Sequence, residues 1–211
     1  MQLISSLNLA QIEYLSRDRF ISYHHQLRLI LSLGKKVQNI LEIGIYNSIF
    51  TEIIRQAGYQ VQTADIDPNL HPDFILDLTT DFSLPENKFD AIALFQVLEH
   101  LPYEEAETAL KKLAAATKKY IVISIPYNCQ FLGMQFKFSY IQRSRYLLFH
   151  IPRFWSEKPL CDQHCWEMGL KRYPKKRIIN SIEQAGLIIK QEFRDKTHPY
   201  HQFFILEKKD L

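Results

Sequence analysis

The stretch Asn39-Ile40-Leu41-Glu42-Ile43-Gly44-Ile45-Tyr46-Asn47-Ser48 decides the fold. A short apolar run stops at a glycine, which reads as a buried strand entering a turn. Ser48 stands where a side-chain oxygen caps a helix, with Ile49, Ile53, Ile54 and Ala57 on one face and Gly58 at its stop. Strand, turn and helix then recur downstream. Val61 to Asp65, Phe74-Ile75-Leu76 and Phe89 to Phe95 read as strands two to four, and Tyr120 to Ile125 as a fifth closed by Pro126. Between the last two, Pro102 opens a helix with Glu104 and Glu105 in its first turn and Lys111 and Lys112 towards its end, charges that suit the macrodipole. Such alternation builds a mainly parallel sheet with helices on both faces.

Outward from this core, Phe20, Leu27, Ile30 and Leu31 share one side of a helix that Gly34 ends. After Pro126 the rhythm breaks and resumes at Pro174, which opens a helix bearing Ile178, Ile179, Ile182 and Ala185. Two strands follow, Leu187-Ile188-Ile189 and Phe203 to Leu206. The connection between them is too short for a parallel crossover, so they pair antiparallel. The expectation is one α/β domain over residues 1–211: a Rossmann-like, doubly wound, seven-stranded sheet in three layers. It divides into a helical lead-in (1–34), a cofactor-binding core (36–126), an insert or lid (127–173), and a closing helix and antiparallel hairpin (174–211).

Composition narrows the class. The chain has 211 residues, 46% hydrophobic and 23% charged, which suits one globular domain and excludes a disordered chain. Six glycines and nine prolines exclude collagenous architecture. Three cysteines, Cys129, Cys161 and Cys165, are too few for a disulfide scaffold, and with no leader-like start or apolar run of spanning length the expected location is cytoplasmic. Net charge is +3, but residues 127–177 hold ten Lys/Arg against three Asp/Glu. That segment is the one suited to an anionic partner.

Ligands of open α/β sheets sit beyond the carboxyl ends of the strands, at the switch point beside strand one. Gly44 ends strand one there, Asp65 ends strand two 21 positions later, and Asp77 ends strand three. A carboxylate at the end of strand two accepts hydrogen bonds from ribose hydroxyls, and one at the end of strand three is placed for an adenine amino group.

Four stretches in order, Ile40 to Gly44, Ala64-Asp65-Ile66-Asp67-Pro68, Leu76-Asp77-Leu78 and Phe89 to Leu101, make the sequence resemble the class I S-adenosylmethionine-dependent methyltransferases. The resemblance covers residues 36–126, and 174–207 in outline. It implies S-adenosyl-L-methionine as cofactor. Glu42, Gly44, Ile45 and Tyr46 fall to its methionine end, Asp65 and Ile66 to the ribose, Asp77 and Leu78 to the adenine, and Phe95 and Gln96 to the floor of the site. The family's first loop alternates glycines, whereas Tyr46 and Ser48 stand where the second and third belong. A dinucleotide site would need Gly-x-Gly-x-x-Gly around its pyrophosphate, and those positions here are Gly44, Tyr46 and Ile49, so a nicotinamide enzyme is disfavoured. A non-catalytic relative that keeps only the fold is the rival reading.

For proton transfer, His100 is either a base near the methyl group or a cap of the turn into the Pro102 helix. His164, with Trp166 and Glu167, either projects over the pocket or braces the insert against the sheet. Cys161-Asp162-Gln163-His164-Cys165 lacks the second ligand pair of a structural zinc site, so no metal is expected. Phe136, Phe138, Tyr140, Phe154 and Trp155 form either an acceptor-binding surface or a small core of the insert, and Arg143, Arg145 and Arg153 either grip an anionic group or stay solvated. The expected partner is a small-molecule or glycan-type acceptor, anionic or ring-containing. An RNA methyltransferase is the nearest alternative, but the modest charge and the absence of an appended RNA-binding module argue against nucleic acid.

Overall fold

The computed structural model of the protein describes residues 16–140 and 144–209. Its elements in chain order are α1 (Arg17–Ser32), β1 (Asn39–Ile43), α2 (Ile49–Gln56), β2 (Gln60–Asp65), β3 (Phe74–Ile75), β4 (Phe89–Phe95), α3 (Tyr103–Ala116), β5 (Thr117–Pro126), β6 (Cys129–Phe136), β7 (Arg145–Pro152), α4 (Lys175–Gln184), β8 (Leu187–Arg194) and β9 (His201–Lys208). Short 3-10 turns cover Pro68–Leu70 and Leu98–His100.

Seven strands form one sheet in the order β3-β2-β1-β4-β5-β9-β8. The first five are mutually parallel, and β9 runs antiparallel to both β5 and β8. The order reverses beside β1, so the switch point falls between β1 and β4, where a ligand crevice is expected.

Period-two burial explains why the sheet takes helices on both faces. Leu41, Ile92, Leu94, Ile121, Ile123, Phe204 and Leu206 point into a core shared with Leu110 and Leu113 of α3 and Ile178 and Ile182 of α4. Their strand neighbours Ile40, Ala91, Ala93, Val122, Phe203 and Ile205 face the opposite core, with Leu29 and Ile30 of α1 and Phe50 and Ile54 of α2. Strands buried on both sides read as continuous apolar runs, as these do. Asp90 works at the far edge: its carboxylate accepts the Gln38 and Asn39 amides at 2.9 Å each and pairs with Lys118.

Two expectations are corrected here. The third strand stops at Ile75, leaving Leu76 and Asp77 just beyond its end. The insert, where the strand–helix rhythm was expected to break, holds two strands, and of the two readings left open for its aromatic residues the small core fails: β6 and β7 pair as a separate antiparallel ribbon. Phe136, Phe138, Tyr140, Phe154 and Trp155 are all exposed. The missing core has a simple cause, since a lone two-stranded ribbon has no second layer to bury a face against. Arg143 lies outside the described residues, as do residues 1–15 of the lead-in.

Candidate active site

The turn after β1 is built on Gly44. Its φ is +83°, and a Cβ there would meet Val97 Cγ2 at 2.4 Å, so only glycine fits this close approach to the turn after β4. Tyr46 and Ser48 hold φ of 36° and 57°. They occupy the left-handed region that the family's glycines reach freely, so the loop keeps its shape despite the altered residues. Ser48 sits at the N-cap of α2 without making the expected side-chain cap; Asn47 Oδ1 accepts the Ile49 amide at 3.3 Å instead.

Asp65 closes β2 and is buried. Its Oδ2 accepts the Ile45 amide at 2.9 Å and its Oδ1 the Asp67 amide at 3.0 Å, so one side chain ties the first loop to the second. Asp77 Oδ1 accepts the Thr79 amide and hydroxyl at 2.8 and 2.7 Å, and those bonds hold its carboxyl below the usual range. Glu42, expected at the methionine end, accepts a hydrogen bond from the Thr51 hydroxyl on α2. Burial pushes the Glu42 carboxyl up to about 8, against the lowering effect of Thr51.

These residues border two recesses that share Gly44. The larger, about 280 Å³, is lined by Gly44, Asp65, Ile66, Asp77, Leu78 and His100. The smaller, about 80 Å³, has Glu42, Gly44, Ile45, Tyr46, Phe95 and Gln96 in its wall. The residues expected at the ribose and adenine thus meet in one recess, and those expected at the methionine end and floor meet in the other. Sequence reasoning missed what α1 adds to the smaller recess. Arg19 and Tyr23 line it, Arg19 Nη1 donates to Gln96 Oε1, and Asn47 Nδ2 donates to the Tyr23 hydroxyl at 2.8 Å. Helical periodicity marks which face of α1 is apolar, but not which strand end its polar residues reach.

His100 borders the larger recess from the turn after β4, and its Nδ1 lies 3.2 Å from the Gln163 carbonyl. Burial lowers its pKa, opposed by that carbonyl. His164 and Glu167 do not line either recess. His164 stands behind His100, ring centroids 4.9 Å apart, with its Nδ1 2.8 Å from Glu167 Oε1. Trp166 does not project over the pocket: it is 2% exposed, packs edge-on against Tyr103 at 5.0 Å and donates to the Leu101 carbonyl at 3.1 Å. The Cys161–Met168 stretch therefore braces the insert against the turn after β4. Glu99, between these groups, carried no role in the sequence reading. Beside a histidine in a short turn a glutamate ordinarily faces water, and only tertiary packing buries this one completely.

Residues 15–174 match the family model described as a methyltransferase domain, well over half of the chain. No curated protein matches the sequence. Among solved structures, the chain is similar to magnesium protoporphyrin IX methyltransferase from Synechocystis PCC 6803 with bound S-adenosylhomocysteine (TM-score 0.62, 14% identity, covering 96% of this chain and 89% of that one). It is similar to the N-methyltransferase NodS from Bradyrhizobium japonicum WM9 in complex with S-adenosyl-L-homocysteine (TM-score 0.62, 16% identity, 92% and 89% covered). A third is the 1,6-didemethyltoxoflavin-N1-methyltransferase of Burkholderia thailandensis (TM-score 0.54, 13% identity, 96% and 90% covered). At such identities these likenesses establish the fold.

Proposed function

Because the chain belongs to the methyltransferase domain family, we propose that it transfers a methyl group from S-adenosyl-L-methionine to a small-molecule acceptor. The observation that carries this reading is Asp65. It ends β2 at the switch point and lines the larger recess, and each of its oxygens accepts one backbone amide. An ionised carboxylate has about four lone-pair sites, so both ribose hydroxyls can still be accepted. Asp77 and Leu78 would bound the adenine, Ile66 would cover the ribose, and Gly44, Ile45 and Tyr46 would carry the loop around the methionine end. Glu42 stiffens that loop from behind, and Phe95 and Gln96 form the floor.

Bound there, the cofactor supplies a methyl group already activated by a positive sulfur. The tasks left to the chain are alignment of the acceptor and exclusion of water. The non-catalytic rival rests on Tyr46 and Ser48; their positive φ values, which keep the loop in the conformation glycines adopt there, favour the catalytic reading. A ring-containing or anionic acceptor is favoured by the exposed aromatic residues of the ribbon and by Arg145, which pairs across it with Phe136. Two solved neighbours are named for magnesium protoporphyrin IX and 1,6-didemethyltoxoflavin, and another for a glycopeptide.

Calorimetry with S-adenosylhomocysteine tests the proposal. One binding event per chain is expected, and Asp65→Asn should weaken it by about tenfold or more, which is about 1.4 kcal/mol or above. No heat at millimolar ligand would sink the reading. An unchanged dissociation constant for the variant would strip Asp65 of its role.

A further inference from the structure

Glu99 is 0% exposed, and among the described residues neither of its carboxylate oxygens meets a hydrogen-bond partner from another side chain. A buried carboxylate without a partner is a costly arrangement, tolerated where something else supplies the missing interaction. Two imidazoles stand beside it. Glu99, His100 and His164 each present one ligand atom, and the three atoms lie within 4.8 Å of one another.

The surroundings orient both rings. The Gln163 carbonyl can only accept, so His100 Nδ1, 3.2 Å away, carries the proton and its Nε2 lone pair is left for another partner. Glu167 Oε1 does the same for His164 Nδ1 at 2.8 Å. Glu167 is itself fixed. Asn128 Nδ2 donates to its Oε2 at 2.7 Å, and the Cys161 amide donates to its Oε1 at 3.3 Å. The backbone is clamped as well: the Cys165 amide donates to the Glu99 carbonyl at 2.8 Å. A carboxylate holding a histidine by its Nδ1 proton, with Nε2 turned to a metal, is the recurring outer layer of metal sites.

From this cluster we infer that Glu99, His100 and His164 form a site for a divalent transition-metal ion, with Glu167 as the positioning residue of His164. Two imidazoles and one carboxylate suit zinc-like or manganese-like cations rather than calcium or magnesium, which prefer all-oxygen sets. Metal–ligand bonds of about 2.0–2.1 Å in a tetrahedron put ligand atoms about 3.3 Å apart, so side-chain closure of roughly 1 Å completes the site. The thiols of Cys161 and Cys165 take no part in it. The inference thus departs from the expectation of no metal, and from the cysteine-based site that expectation rejected.

Three protein ligands leave positions open, and His100 also borders the larger recess. The role of the ion rests on the proposed methyl transfer. The acceptor class that fits offers a hydroxyl oxygen to an open position. The cation lowers the pKa of that hydroxyl, whose proton passes to solvent. The oxygen then forms its bond to the methyl carbon as the carbon–sulfur bond breaks and that electron pair returns to sulfur.

The test uses the full chain, stripped with a chelator and titrated with Co²⁺. The expected result is one equivalent bound, visible d–d absorption, and displacement by Zn²⁺. His100→Ala, His164→Ala and the near-isosteric Glu99→Gln should each weaken binding at least about tenfold, and Glu167→Gln by about 10- to 100-fold. Zn²⁺ should raise the melting temperature of the wild type and leave that of His164→Ala, which must itself show a cooperative melt, unmoved. A Cys161→Ser/Cys165→Ser double variant should bind Co²⁺ as the wild type does. Less than a tenth of an equivalent bound at millimolar Co²⁺ would overturn the inference, as would thiolate charge-transfer bands lost in the cysteine variant, or equal affinity in the histidine variants. Calorimetry with S-adenosylhomocysteine on the same samples separates the outcomes. Metal binding without nucleoside binding would sink the proposed function alone, and the reverse would sink the metal site alone.

Discussion

Tyr46 and Ser48 hold a backbone conformation that L-residues reach only at a cost of about 1–2 kcal/mol each. Among the described residues Ser48 makes no side-chain capping bond that offsets this at the head of α2. Ser48→Gly should therefore stabilise the protein by about 1 kcal/mol, a rise in melting temperature of roughly 2–4 °C for a domain of this size. Calorimetric melting decides it, and a fall would mean that the hydroxyl has an uncounted partner. Gly44 is the opposite case, because Val97 occupies the space a Cβ would need.

Glu42 supplies a pH-dependent prediction at the same scale. Its carboxyl is raised from 4.5 to about 8 chiefly by burial. The native state therefore holds a proton that the unfolded chain has released above pH 4.5. Its stabilising contribution is complete below that value and is lost as pH rises through about 8. Glu42→Gln cannot ionise, so its stability relative to the wild type should climb across this window by a few kcal/mol. Urea unfolding at a series of pH values measures the difference, and parallel curves would refute the assignment.

At the scale of elements, the ribbon and the stretch after it behave differently although they are adjacent in sequence. Leu132, Met134, Leu147, Phe149 and Ile151 fall on one ribbon face by their cross-strand register, and all are exposed. Leu132→Ser should change stability by less than about 0.5 kcal/mol, as other surface substitutions do. Trp166 is locked between Tyr103 and the Leu101 carbonyl. Trp166→Ala should cost about 3–5 kcal/mol, and it should also release His164 and Glu167 from the turn after β4. Chemical denaturation of the two variants tests the contrast; similar losses would show that the ribbon packs in solution. Helix α1 is a second tertiary device. His25 Nε2 reaches Asp195 Oδ2 at 2.7 Å, a bond that leads the effects depressing the Asp195 carboxyl, and so ties α1 to the loop between β8 and β9.

Across the whole molecule, alternating strands and helices were readable because a strand buried on both faces leaves an unbroken apolar run, and glycines mark where such runs turn. Ile40 to Gly44, Phe89 to Phe95 and the closing pair therefore announced a doubly wound sheet, and spacing alone put Asp65 at the end of β2, while Asp77 lies two residues past the end of β3. The ribbon was not announced. Its apolar residues lack the burial that would explain them, and a hydrophobic surface residue looks like a core residue when only its type is known. The wall that Arg19 and Tyr23 add to the smaller recess and the placing of Trp166 in the core were equally hidden. So was the junction of Glu99 with His164, which lie 65 positions apart. Local periodicity and turn chemistry thus determined the sheet, the switch point and the acidic pair beside it. Which distant polar groups share a buried pocket was decided only by the packing of helix and insert onto that sheet, because desolvation acts on neighbours in space.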